Sequence, residues 1–491
     1  MQDGNLYTDE VTQNINSIIG GFIMKTDRLI NLLRAGFPAF WINTFEPNRV
    51  RQKIYDEIKS FRRKDGIEYK VEEWSITRAA NPIPVLEQFI TSEDCTVLFM
   101  YNFHWFHDKA QVVQLIQDAL PIVSSKGSAI VVVSSQQKIP QELSKDFIVM
   151  DMPLPDDNEI ISVMQHELPN GYKMPEGKDK DRVVKSCKSL TRTELGQVLA
   201  LSVIEKNCYD VEVINDYRAM AIKKTGFMEV IPHTYKYADI VGYQRYKEHV
   251  AESIDNIKAK GNMLIGPGGC GKTVLQMAIV GEFKKFGIKI EMGALYSKWQ
   301  GETDQNIRTV QEVLRSAGEV YALFDEFEKQ FSGAGGSGDL DSGTTVRATG
   351  AWLDFFQNRP KGVYIAGTAN SFNGIPAPYL RPGRWDTTPF FCDLPTDKVR
   401  KKIMDHYCNK LNPNLMKEQY PEMKDFTGGE VEALVTLADM RGMSLNKARE
   451  FIIPQIITKG EEITELRKWA KTRCLSAETL QPINGKRKLD V

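Results

Sequence analysis

Gly266-Pro267-Gly268-Gly269-Cys270-Gly271-Lys272-Thr273 satisfies the pattern G-x-x-x-x-G-K-[ST], whose chemistry is the cradling of phosphate. Residues with little or no side chain let successive backbone N–H groups converge on an anion, and the N-terminus of a following helix adds positive partial charge. In that arrangement Pro267, Gly268, Gly269, Cys270 and Gly271 supply the cradle. Lys272 reaches the outer phosphates, and the Thr273 hydroxyl takes a place in a Mg²⁺ shell. Upstream, Met263-Leu264-Ile265 is a short apolar run suited to a buried strand; downstream, residues 274–286 read as a helix that stops at Gly287.

A second chemical signal lies 53 positions after Lys272, where the apolar run Tyr321-Ala322-Leu323-Phe324 ends in Asp325-Glu326. In a phosphoryl-transfer site the first acid joins the metal shell and the second orients and deprotonates the attacking water. Alone, an apolar run before two acids is a weak signal; paired with the glycine loop it is a strong one. Cys270 could serve as a redox switch, because helix N-termini lower thiol pKa; a small residue that fits the loop is the simpler reading. His104 and His107, three apart, could share one helical face as metal ligands, but no third ligand accompanies them. Their neighbours Phe103, Trp105 and Phe106 favour packing over a zinc site.

The elements that must position these groups follow from the apolar pattern. The chain has 491 residues, 42% hydrophobic and 26% charged, which is ordinary for a globular protein of several domains. A net charge of -1 offers no electrostatic case for nucleic acid as an obligatory partner. Seven cysteines without a C-x-x-C pair point to a reducing compartment, and no run approaches 18 apolar residues, so no membrane insertion is expected. Strands are expected at 39–42, 71–76, 95–100 and 129–134, with helices between them at 47–62, 84–90 and 112–123. This alternation predicts a mainly parallel sheet covered on both faces. Its first strand is followed by Asn43-Thr44-Phe45-Glu46-Pro47-Asn48-Arg49, without the glycines or the Lys-Thr of a phosphate loop. The resulting plan is a polar tail (1–25), an α/β domain (26–155), a helical domain (156–228), a second α/β domain (229–395), a second helical domain (396–475) and a tail (476–491), with a linker at 226–238.

Beyond these two signals, residues 236–450 resemble the AAA family of ring ATPases. Asp239-Ile240-Val241-Gly242 resembles the family's adenine-side segment, and Ser297-Lys298-Trp299-Gln300-Gly301-Glu302 its central pore loop. Thr368-Ala369-Asn370 resembles the sensor strand with its terminal polar residue, and Leu380-Arg381-Pro382-Gly383-Arg384 the paired arginine-finger segment. Phe426-Thr427-Gly428-Gly429-Glu430 resembles the helical-lid motif. A sheet-then-lid half without catalytic residues, ahead of one complete module, resembles a subfamily known from open reading frames of cyanobacterial and algal plastid genomes. Departures from the family pattern include Gly268 in place of a second proline, Asn262 in a usually apolar strand position, and Pro376-Ala377-Pro378 before the arginines.

The resemblance implies two P-loop-NTPase-like parallel α/β sheets, each followed by a small helical lid, the first catalytically degenerate. It implies ATP and Mg²⁺ as cofactors, with Thr273 and Asp325 holding the metal and Ile240, Val241 and Gly242 beside the nucleotide. Glu326 would activate water, Asn370 would position it, and Arg381 and Arg384 would act across a subunit interface. Lys298, Trp299 and Gln300 would grip a polypeptide in the pore of a ring, by resemblance a hexamer, in the cytoplasm or a plastid stroma. Trp299 as a core residue is the competing reading, which its polar neighbours disfavour. Two rival functions stand beside protein remodelling: a slow nucleotide-gated scaffold whose first half recruits partners, and a nucleic-acid motor or loader.

Overall fold

The computed structural model describes residues 22–23, 26–60, 68–295, 302–331, 342–372, 375–381 and 383–483. The chain divides into two compact units, Met1–Ile214 and Asn215–Val491. Among the described residues no helix is long and apolar enough to cross a membrane.

The first unit is built on strands β1 (Phe22–Ile23), β2 (Ala39–Asn43), β3 (Lys70–Trp74), β4 (Thr96–Tyr101), β5 (Ala129–Ser134) and β6 (Ile148–Asp151). They form one parallel sheet in the order β1-β6-β2-β5-β4-β3. Strands β2 and β5 are buried at every position, which explains their unbroken apolar runs: helices cover both faces, so no face needs polar residues. Phe40, Ile42 and Phe99 pack on one side, and Trp41, Leu98 and Ile116 on the other. The helices Asp157–Glu167, Gly177–Cys187 and Arg192–Lys206 follow. Reciprocal caps open two of them, Asp156 with Glu159 and Thr191 with Glu194, each satisfying amides that a helix start leaves unpaired. His104 and His107 are occupied locally: His104 Nδ1 lies 2.6 Å from Ser134 Oγ, and His107 Nδ1 lies 2.8 Å from the His104 carbonyl.

The second unit is built on β7 (Met228–Val230), β8 (Gly261–Ile265), β9 (Gly287–Glu291), β10 (Val320–Asp325), β11 (Val363–Ala369), β12 (Phe390–Phe391) and β13 (Leu475–Ser476). Their order is β13-β12-β8-β11-β10-β9-β7. The path β12-β8-β11-β10-β9 repeats the path β6-β2-β5-β4-β3 of the first unit, so β8 and β2 hold corresponding central places. The helices Asp397–Leu411, Gly428–Arg441 and Leu445–Arg449 enclose their own core around Met404, Phe426 and Leu434.

Three sequence expectations change. The second sheet is mixed, because β7 runs antiparallel to β9. That strand lies in the stretch read as a linker; Phe227 and Met228 bury into the core and hold it to the sheet edge. The helix expected over 274–286 ends at Glu282, because Lys284 turns left-handed at φ 49°, and Gly287 opens a strand instead of closing the helix.

Asn262, the polar residue in β8, belongs to a buried network. Its amide donates to the Tyr364 hydroxyl at 2.7 Å, and its carbonyl oxygen accepts from the Tyr246 hydroxyl. Gln276 donates to Tyr246 at 3.2 Å and accepts from Tyr321. The network ties the helix after the glycine loop to three strands and to the helix Gln244–Ser253. Asn262→Leu breaks two of these buried bonds, at a cost of about 1–3 kcal/mol. The expected result is a lower urea midpoint for the second unit, partly recovered when Tyr364→Phe is added; an unchanged midpoint would show that the network does not stabilise the fold.

Candidate nucleotide site

Strand β8 delivers the chain to Gly266, where a Cβ would sit 2.0 Å from the Cys392 carbonyl oxygen, so only glycine passes. Gly269 and Gly271 turn left-handed at φ 74° and 78°, a region open to glycine at no steric cost. Gly271 caps the helix Lys272–Glu282, leaving its first N–H groups without helical partners inside the loop. Lys272 folds over that loop: Nζ donates to the carbonyls of Gly266 (2.8 Å) and Pro267 (2.7 Å) and to Asn370 Oδ1 (2.9 Å). Burial lowers the Lys272 pKa, so this ammonium gains by meeting an anion.

The acidic end of β10 meets the same helix. Thr273 Oγ1 donates to Asp325 Oδ1 at 2.7 Å, and Thr368 Oγ1 donates to the same oxygen at 2.5 Å. Lys289 Nζ stands 3.6 Å from Asp325 Oδ2. Glu326 adopts φ 51° and donates its N–H to Thr368 Oγ1 at 3.1 Å. A non-glycine residue in that region is uncommon, and here it marks the end of the acidic strand. The Glu326 carboxylate pairs with Lys329 and is 43% exposed.

A cavity of about 590 Å³ opens beside the loop. Gly269 through Thr273 and Asn370 form one end, and Ile240, Val241 and Gly242 contribute to its wall. Pro267 and Gly268 instead line an adjoining space of about 320 Å³ with Asn370, Gln455 and Lys459. Cys270 is 5% exposed and burial pushes its thiol up to about 12. The thiolate that redox chemistry needs is therefore suppressed, and the residue reads as a small side chain that fits.

Several cavity residues carry no motif. Val399, Ile403, His406 and Tyr407 come from the helix Asp397–Leu411; their spacing of four, three and one places them on one helical face, which a periodicity search restricted to that helix would have found. Glu478 comes from beyond β13 and accepts from the Tyr243 N–H at 2.8 Å. Nothing in the sequence places it there. Glu328 is a further residue without a motif; its Oε1 accepts from the Asn370 N–H at 3.0 Å.

Arg381 and Arg384 do not line the cavity. Arg381 is exposed, and Arg384 donates to the Pro378 carbonyl. The unusual Pro376-Ala377-Pro378 thus feeds a short 3₁₀ turn, Ala377–Leu380, that restrains Arg384. Tyr379 and Trp385 anchor the segment: Tyr379 lies 5.0 Å from Phe327 and Trp385 lies 5.6 Å from Phe356, both edge to face. Lys298, Trp299 and Gln300 lie outside the described residues.

The corresponding place in the first unit is filled by the protein itself. After β2, Glu46 Oε1 accepts from the N–H of Arg192 at 2.7 Å, at the start of the helix Arg192–Lys206. In the second unit the loop meets the corresponding helix through its backbone, Gly429 N–H to the Gly269 carbonyl at 3.0 Å. Arg49 is 3% exposed and bonds Glu159 Oε2 at 2.6 Å, Glu46 Oε2 at 3.4 Å and the Pro153 carbonyl. A carboxylate sits on the helix N-terminus, and the arginine beside it is already paired within the chain.

Two α/β units on one strand path, one with a glycine loop and acidic strand and one without, define a pair of P-loop-NTPase-like domains of which the first is degenerate. The comparisons agree. Residues 262–392 match the family model of the ATPase family associated with various cellular activities, and residues 25–152 match that of the SpoVK-like AAA ATPase N-terminal domain. Both halves of the chain are thus similar to domains of AAA ATPases. It is similar to the AAA domain-containing protein ycf46 of Guillardia theta, 27% identical over 481 residues, covering 89% of this chain and 93% of that protein. The protein of the same description from Trieres chinensis is 24% identical over 489 residues, covering 91% and 96%. A shorter match, 27% over 348 residues, joins 63% of the chain to 46% of a cell division cycle protein 48 homolog of Archaeoglobus fulgidus.

With the first unit self-filled, the chain is expected to bind one ATP. Calorimetry on the full chain should give a stoichiometry near one, and Lys272→Ala should leave no binding. Residual Mg-ATP binding by Lys272→Ala with a Kd of about 10 μM or tighter, an affinity on the scale of roughly −7 kcal/mol, would show that the first unit retains a site.

Proposed function

We propose that the chain hydrolyses ATP to ADP and phosphate and uses the cycle to remodel or translocate a polypeptide through the pore of a ring. The observation that carries this is the convergence of Lys272, Thr273, Asp325 and Asn370 around one end of a nucleotide-sized cavity. Lys272 and the loop N–H groups take up phosphate charge. Thr273 and Asp325 offer adjacent oxygens to Mg²⁺, an oxygen-seeking ion that keeps several waters and is commonly completed by nucleotide phosphates. When bound, the ion would neutralise charge developing on the outer phosphates.

Glu326 takes the proton of the attacking water, and Asn370 orients that water. Arg381 and Arg384 serve a neighbouring subunit's nucleotide, which makes a ring, by resemblance hexameric, the working form. Their absence from the cavity wall supports this division. One observation favours a second reading, a slow nucleotide-gated scaffold: the first unit spends the place that corresponds to the glycine loop on an internal ion pair. Faster turnover in the presence of an unfolded polypeptide supports remodelling; a slow rate that no polypeptide changes supports the scaffold.

Hydrolysis itself is tested by Glu326→Gln, which should bind Mg-ATP like the wild type and turn it over at least about 100-fold more slowly, in line with removing a general base. Near-normal turnover would move the base elsewhere.

Catalysis across an interface is tested by mixing. Arg381→Ala and Lys272→Ala should each be inactive alone, and their mixture should recover activity, because an intact loop from one can face an intact arginine from the other. An arginine supplied in trans is worth about 10³–10⁵ in rate in P-loop enzymes, so even a minority of mixed sites is measurable. A rate per subunit that does not vary with protein concentration, with no recovery on mixing, would rule the arrangement out.

A further inference from the structure

We infer that Glu328 is a positioning residue for hydrolysis: it fixes Asn370 against Lys272 and thereby connects the acidic strand to the phosphate loop. This rests on the ATPase reading above. The turn Phe327–Phe331 follows β10, and Phe327 is fully buried, packed 5.0 Å from Tyr379 and 5.9 Å from Phe356. That anchor sets where the next side chain goes. Glu328 Oε1 accepts from the Asn370 N–H at 3.0 Å, and Asn370 Oδ1 accepts from Lys272 Nζ at 2.9 Å.

Asn370 is the first residue beyond β11, so no ladder bond holds its amide; Glu328 does. The side-chain amide of Asn370 then spends its oxygen on Lys272 and keeps two N–H donors for water or phosphate oxygen. Its orientation is worth something only if the backbone beneath it is fixed. A displacement of about 1 Å from a change away from the chemistry can cost roughly 100-fold in rate.

The two acids that flank Phe327 are employed differently. Glu326 is exposed and ion-paired with Lys329. Glu328 keeps Oε2 buried without a hydrogen-bond partner among the described residues. Burial raises its pKa, with the neighbouring Glu326 charge acting in the same sense and Lys272 against it. A half-buried carboxylate with one oxygen unsatisfied costs free energy that packing alone does not recover, and its other oxygen is spent on the Asn370 N–H.

The test is steady-state ATP turnover by the full chain with Mg-ATP. Glu328→Ala should lower kcat by about 10- to 100-fold and leave KM for ATP within about threefold, the pattern of a lost transition-state interaction. Glu328→Gln keeps the acceptor oxygen and should recover most of the rate. Combined with Asn370→Ala, Glu328→Ala should cost little more than Asn370→Ala alone, because it acts through that residue. Should the alanine variant melt early, Glu328→Leu repeats the measurement with the volume filled and the acceptor absent. Unchanged kcat in Glu328→Ala, equal losses in the Gln and Ala variants, or full additivity with Asn370→Ala each overturns the inference alone. A wild-type chain that does not turn ATP over overturns the ATPase reading, and this inference with it.

Discussion

The Asp325 carboxylate holds the second unit's site together. Its Oδ1 takes hydrogens from Thr273 and from Thr368, and its Oδ2 faces Lys289. A carboxylate 14% exposed would be costly without such donors. With them, it locks the first turn of the loop helix to the ends of β10 and β11. Thr368 passes the constraint on by receiving the Glu326 N–H, and Glu326 turns left-handed in response to its place at the strand end. The other site residues are arranged around that joint.

Beneath it lies a rigid support. Phe324, Phe327, Trp352 and Phe356 form an aromatic cluster with ring separations of 5.1 to 6.4 Å, in which Phe324 meets the other three edge to face, a packing in which aromatic rings contribute beyond their buried area. Tyr379 and Trp385 join the same cluster, so the arginine-bearing segment and the acidic strand share one foundation. On the other face of the sheet the Asn262 network fixes the loop helix through Gln276. Aromatic packing on one face and hydrogen bonding on the other leave the glycine loop little freedom except in its own backbone.

The two units show how one strand path serves different ends. In the second, glycines bring backbone N–H groups to the helix start and leave them available. In the first, the Glu46 carboxylate occupies the start of the helix Arg192–Lys206, and Arg49 is held between Glu46 and Glu159. Burial raises the Glu46 pKa, yet the two amides and Arg49 compensate its charge from within the chain. The same physics that binds phosphate, an anion at a helix N-terminus with a cation beside it, here closes the half upon itself.

Much of this was legible in the sequence, because the signals are local. The glycine spacing of the loop, the apolar run into Asp325-Glu326 and the unbroken apolar strands depend on residues adjacent in the chain. The absence of a phosphate loop after β2 was equally plain. Tertiary structure alone decided what depends on residues far apart. Glu46 meets Arg192 across 146 positions, and Glu478 meets Tyr243 across 235. The strand at Met228–Val230 exists because β9 offers an edge. Glu328 gains its place from Phe327 packing beneath it, and the buried Cys270 thiol loses its reactivity to surroundings no spacing reveals. Backbone conformation and hydrophobic period are properties of a segment, whereas burial, pKa and hydrogen-bond partner belong to the neighbours that folding brings.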